Sequence, residues 1–221
     1  YITPSHQFPT GLSMPAGRRT ALLHWAAEGE RYLIEDDYDS EFRYASRPLP
    51  ALQGMDGGQK VIYIGTFSRS LAPGLRAAYM ALPRPLLERY EALRLRSGDT
   101  VSRFEQHALA ELIRQGHYAR HLRRAAGVYQ KRCQKLCALL LQIPGAAIRG
   151  EDAGLHFLFS IEGRSEKELI AKAHQAGIPL RGLSAYSVRA PEPQALVLGF
   201  AGLLDEELKE AVRSLREIWG V

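Results

Sequence analysis

Short apolar runs bounded by polar or glycine residues recur through the first part of the chain. They are Arg31-Tyr-Leu-Ile-Glu35, Val61-Ile-Tyr-Ile-Gly65 and Arg76 to Leu82, the last closed by Pro83 and Pro85. Runs of this length, separated by helical segments, predict buried parallel strands in an α/β layer structure. Met14 to Glu28 fits a helix before the first of these runs, with Leu22, Leu23 and Trp25 supplying its apolar surface. From Pro85 to about Leu141 the period becomes helical: Phe104, Ala108 and Leu112 recur every four residues, and Tyr118, Leu122, Ala125 and Tyr129 continue a stripe. Gly116 marks a break between two helices there. Beyond Pro144-Gly145 the pattern predicts a strand (155–161), a helix (165–175), strands at 178–180 and 195–200, and a helix (205–218). That order is a small α+β layer.

The composition agrees with a globular chain: 221 residues, 46% hydrophobic and 24% charged. No apolar run approaches the roughly 20 residues of a membrane helix, and no signal-peptide pattern opens the chain, so a cytoplasmic protein without membrane contact is expected. Tyr1 rather than Met comes first, as expected of a piece whose start lies upstream or of a trimmed chain. Cys133 and Cys137 fall on one helical face and read as two small side chains in a reducing compartment; no metal site is expected. The net charge of +5 is uneven, because no acid occurs between Glu111 and Glu151 while Arg114, Arg120, Arg123, Arg124, Lys131, Arg132, Lys135 and Arg149 do. Such a run is either the solvated or inter-domain face of a long helix or a nucleic-acid footprint.

Three segments carry candidate chemistry: Thr3-Pro-Ser-His-Gln-Phe-Pro-Thr-Gly11, Ile34-Glu-Asp-Asp-Tyr-Asp39 and Gly65-Thr-Phe-Ser-Arg-Ser-Leu-Ala-Pro-Gly-Leu-Arg76. Each lies at or just after the C-terminal end of a predicted strand, where open parallel sheets bind ligands. In the third, Thr66 and Ser68 offer hydroxyls and Arg76 a guanidinium able to pair bidentately with phosphate oxygens. The same stretch is also readable as a polar connection with a buried arginine. The acids are either a solvated strand end or a partner for a protonated cofactor ring nitrogen.

Together these motifs resemble the fold-type I aminotransferases, and specifically the effector domains of MocR-type (GntR-family) transcription regulators. Glu105-Gln106, Ala108-Leu109 and Gly116-His-Tyr-Ala-Arg-His-Leu-Arg-Arg124 extend the resemblance, which runs through essentially all of the chain. It implies the C-terminal part of a pyridoxal-phosphate (PLP) domain, a mostly parallel sheet with helices on both faces over residues 1–116. A long connecting helix and a small α+β domain follow over 117–221. It implies that Asp36 pairs with the pyridine nitrogen, Tyr38 with the ring's phenolic oxygen, and Thr66, Ser68 and Arg76 with the phosphate. Asp37 and Asp39 are expected to be local polar structure, His6 a loop-structuring histidine beside Gln7. A homodimer, a small amino compound as ligand, and DNA contact only through a winged helix-turn-helix outside these residues are implied as well.

Three departures bear on catalysis. The family's cofactor lysine falls at Arg69, and a guanidinium stays protonated, so it is neither an amine nucleophile nor a general base. PLP, if held, is therefore expected to be non-covalent. The C-terminal strand, Ala195-Leu-Val-Leu-Gly-Phe200, lacks an arginine for a substrate carboxylate, leaving Arg189 or Arg181 as substitutes. The family's glycine-rich phosphate loop and ring-stacking aromatic precede the stretch matched here. The expected function is a PLP- or amino-compound-sensing domain without full transamination. The alternatives are an aminotransferase that has lost its lysine, and a non-catalytic dimerisation fragment.

Overall fold

The computed structural model describes residues 1–44, 49–98, 100–189 and 194–221. They form two compact units. The first comprises Tyr1–Gln7, Leu12–Glu41 and the described part of 49–124; the second comprises Phe8–Gly11, 42–44 and the described part of Ala125–Val221.

The first unit is built on a sheet of β1 (Leu33–Asp37), β2 (Val61–Thr66) and β3 (Ala78–Ala81), in that order. β1 and β2 are parallel, with Leu33 opposite Val61 and Asp37 opposite Gly65, and Ile2 adds a parallel bridge to Glu35. Helices α1 (Ala16–Ala27) and α2 (Leu52–Asp56) cover the sheet through a core of Ala26, Leu33, Leu52 and Val61. Parallel pairing buries β1 on alternate residues, so Leu33, Glu35 and Asp37 share the covered face. The buried Glu35 carboxylate accepts the backbone N–H groups of Leu52 and Gln53 at 2.9 and 3.0 Å, capping α2, a short helix that the apolar pattern did not predict.

Two expectations need correction here. β3 runs antiparallel to β2 and is largely exposed, not a buried parallel strand. Only the short connection 67–77, with no α-helix, joins the two strands, and a parallel pair needs a longer crossover. On α1, Trp25 lies outward with the Arg31 guanidinium 4.8 Å from its ring centroid, and the fully buried side chains are Ala26 and Arg19. Arg19 donates to the carbonyls of Met14 (3.1 Å), Pro50 (2.9 Å) and Pro4 (2.8 Å) and so ties the start of the proline-punctuated loop to α1. Arg19→Ala leaves these carbonyls without that donor and should lower stability by about 2–5 kcal/mol in thermal or urea unfolding. Arg19→Lys should recover little, since one ammonium cannot span the three acceptors.

The helical middle consists of α3 (Arg84–Ser97), α4 (Arg103–Arg114) and α5 (His117–Leu140), within a predicted stretch whose position 99 lies outside the described residues. Gly116 sits at φ 70° between α4 and α5, the left-handed conformation that ends a helix. On α4 Leu109 is buried, while Phe104 of the predicted stripe is exposed.

The second unit has an antiparallel sheet in the order β4 (Ala146–Arg149), β5 (His156–Ile161), β7 (Leu196–Gly199), β6 (Arg181–Gly182). β5 is central and buried on both faces. Phe157, Phe159 and Ile161 enter the main core with Leu196, Leu198 and Phe200, whereas Leu158 packs with Leu183 and Ala195. Helix α6 (Glu166–Gln175) starts where Ser165 accepts the N–H of Glu168, and α7 (Asp205–Trp219) buries Leu208, Val212, Leu215 and Trp219 at three- and four-residue spacing. The strand predicted at 178–180 forms instead at Arg181–Gly182. Gly177 turns left-handed at φ 78° and the Ile178 N–H bonds to Ala173, so these residues finish α6.

Candidate functional site

The first unit's connection between β2 and β3 is folded tightly by its own backbone. Phe67 N–H bonds to Ala77 (3.0 Å), Leu71 N–H to Phe67 (2.9 Å), and Ser68 N–H to the Thr66 hydroxyl (3.1 Å). Pro73–Leu75 form a single 3-10 turn, after which Arg76 adopts φ 46°. A left-handed arginine costs about 1–2 kcal/mol, and this is the one such non-glycine residue among those described. Strain of this kind persists where surrounding structure holds it, and it often marks a binding position.

Tyr38, Thr66, Ser68, Arg69 and Arg76, with Ala77 and Ala78, line one cavity of about 230 Å³. Residues from two stretches of sequence thus converge at the C-terminal ends of β1 and β2. Burial and the Asp39 carboxylate push the Tyr38 hydroxyl far above the usual phenol range, with the Arg69 charge opposing them. Tyr38 therefore remains a hydrogen-bond donor at neutral pH, and it donates to the His6 carbonyl at 2.9 Å. Arg69 itself is exposed to solvent.

The remaining predicted residues separate. Asp36 lies on β1, half-buried, outside the cavity lining, and accepts a hydrogen bond from the Tyr1 hydroxyl. That bond raises the Tyr1 hydroxyl to about 12. His6 Nδ1 meets Asp39 Oδ2 at 2.9 Å, both side chains buried, so His6 and Asp39 structure the loop. Burial raises the Asp39 carboxyl, and the hydrogen bond to His6 opposes that rise. Asp37 accepts from Ser40 (2.6 Å) and Tyr63 (2.8 Å). Gln7 is half-buried in the same unit. Arg189 and Arg181 belong to the second unit, both exposed, and neither is among the residues lining this cavity.

The basic run divides. Arg132 donates to the Ala201 carbonyl (2.6 Å) and Lys135 pairs with Asp205 (2.8 Å), so these two serve packing in the second unit. His117, Arg120, Arg123 and Arg124 line a shallow surface depression. The cysteines are free, with sulfurs 4.0 Å apart; hydrogen bonding to Cys137 and burial push the Cys133 thiol up. No helix among the described residues is long and apolar enough to cross a membrane.

No protein-family model matches the chain. The architecture is shared with LysN, the α-aminoadipate aminotransferase of Thermus thermophilus, solved with N-(5'-phosphopyridoxyl)-L-leucine. That structure is 27% identical with a TM-score of 0.82, over 100% of this chain and 58% of the other. The fold is that of the fold-type I, PLP-dependent aminotransferases. Among curated proteins, the uncharacterized HTH-type transcriptional regulator YdeL of Bacillus subtilis (strain 168) is 41% identical over 100% of this chain and 48% of its own length. The probable rhizopine catabolism regulatory protein MocR of Rhizobium meliloti is 34% identical over 98% of this chain and 44% of its own. The chain belongs to the MocR-type family of HTH-type regulators, as an aminotransferase-like domain. It spans about half the length of the curated relatives it matches.

Proposed function

We propose that this domain is the ligand-sensing part of a cytoplasmic transcriptional regulator and holds PLP without a covalent bond. The convergence of Tyr38, Thr66, Ser68, Arg69 and Arg76 on one cavity carries this reading. Of these, the Thr66 and Ser68 hydroxyls and the two guanidinium groups are a donor set suited to a phosphate dianion, and the left-handed Arg76 is held within that set. When bound, PLP supplies an electrophilic carbonyl and an electron-accepting ring. In this reading Thr66, Ser68 and Arg76 would hold the phosphate, the protonated Tyr38 would turn its one O–H from the His6 carbonyl to the ring's phenolic oxygen, and Asp36 would neutralise the ring nitrogen. The donor set fits the phosphate end. Position 69 does not fit the covalent end, because its guanidinium offers no free amine pair.

The sensing role follows from the regulator family together with that loss. An amino compound entering the site has no lysine to displace, so binding rather than turnover is the output. A homodimer, DNA contact through a helix-turn-helix module, and Arg189 as a carboxylate partner belong to the same reading. PLP titration followed by cofactor fluorescence tests it. Binding should be saturable, reversed by dialysis and resistant to borohydride trapping. Arg76→Ala removes a charge-assisted contact and should weaken affinity by about tenfold to a hundredfold. No saturable binding by the unmodified chain, or trapping on another lysine, would sink the assignment.

A further inference from the structure

The turn that lines the cavity has a second side. Leu71 N–H bonds to the Phe67 carbonyl, so residues 67–71 form one helical turn. Ser68 and Arg69 line the cavity. Ser70, only 3% exposed, faces α5 instead. There the Tyr118 hydroxyl donates to Ser70 Oγ at 2.9 Å, and His121 Nε2 lies 2.8 Å from the Ser70 carbonyl. A carbonyl only accepts, so His121 donates this bond through an Nε2–H. The Phe67 ring meets Tyr118 edge-on, with centroids 5.6 Å apart. Tyr118 and His121 are three residues apart and share one face of α5.

We propose that Tyr118 and His121 are positioning residues that latch α5 to the Arg69 turn, so that occupancy of the cavity and the order of the first two turns of α5 depend on each other. The inference rests on the PLP reading above. The physical basis is that one turn of backbone presents neighbouring residues to two places at once. Ser68 and Arg69 cannot shift toward a phosphate without carrying Ser70, and Ser70 is held at both its side chain and its carbonyl. Binding that orders the turn therefore orders α5, and loosening α5 raises the cost of ordering the turn, by the reciprocity of linked equilibria.

The test measures PLP affinity and amide hydrogen exchange over 117–124 in the same 221-residue chain. Tyr118→Phe deletes only a hydroxyl, and His121→Ala deletes the carbonyl's donor. Each should weaken PLP binding about threefold to tenfold. His121→Gln, which returns an N–H near the position of Nε2, should recover most of that loss. Tyr118→Phe combined with Ser70→Ala should weaken binding no more than either change alone, because both remove one bond. PLP should slow exchange over 117–124 in the unmodified chain and do so far less in His121→Ala. A purely structural role predicts lowered melting temperatures with unchanged PLP affinity. That result, or exchange over 117–124 indifferent to PLP, overturns the latch while leaving the cofactor site standing. If the unmodified chain binds no PLP, the latch and the cofactor reading fall together.

Discussion

Arg69→Lys should convert a dialysable PLP complex into a covalent one. The change places a primary amine on the turn that already carries Ser68 and Thr66, in a cavity shared with Tyr38 and Arg76. A lysine in such a setting loses its proton far more readily than a guanidinium, which supplies no nucleophile at any physiological pH. Near-visible absorbance should appear on mixing with PLP, and borohydride should fix one cofactor per chain, at the substituted position by peptide mapping. Arg69→Ala should show neither. The effect is all or none, not a graded change in affinity, and so it is the largest expected at the site. Failure of Arg69→Lys to be trapped, in a protein that still binds PLP reversibly, would mean that another position faces the cofactor's carbonyl. Transaminase turnover by the unmodified chain would overturn the sensing role itself.

For stability, Trp219→Ala in the second unit should cost about 3–5 kcal/mol. Trp219 is 1% exposed and stacks on Phe159 with centroids 5.8 Å apart. Its indole N–H donates to the Leu169 carbonyl at 3.0 Å. Truncation therefore opens a large cavity between α7 and β5 and leaves that carbonyl without its donor. Urea unfolding followed by circular dichroism should show the midpoint of this unit falling sharply. Trp219→Phe, which keeps an aromatic ring but loses the N–H, should cost markedly less. A loss below about 1 kcal/mol for the alanine variant would show that the unit collapses around the site.

The candidate site was legible in the sequence because its chemistry is concentrated at strand ends. Thr66, Ser68, Arg69 and Arg76 lie within eleven residues, and a single tight connection brings them together. Tyr38 joins them because β1 and β2 are parallel neighbours whose C-terminal ends coincide, with Asp37 opposite Gly65. Asp36 and Arg189 were named on the same footing, yet neither lines the cavity. The apolar run 76–82 carries no record of whether its neighbour is parallel, and the antiparallel direction of β3 is set by the short 67–77 connection. Arg19 and Glu35 left no periodic signal, because their roles are to satisfy carbonyls and amides in segments distant along the chain.

Taken alone, the amino-acid sequence determined the class of fold, the family, the strand-end motifs and the arginine at position 69. These depend on local residue types, their order and their spacing, all of which are written along the chain. Only the tertiary structure decided which side of each motif faces what. It separated Ser68 and Arg69, on the cavity, from Ser70, held by Tyr118 and His121 some fifty residues away. Such pairings arise when packed elements are brought into register, and short-range periodicity does not encode them. Position 69 thus stands out in the sequence, while the contacts of its neighbour Ser70 appear only in three dimensions.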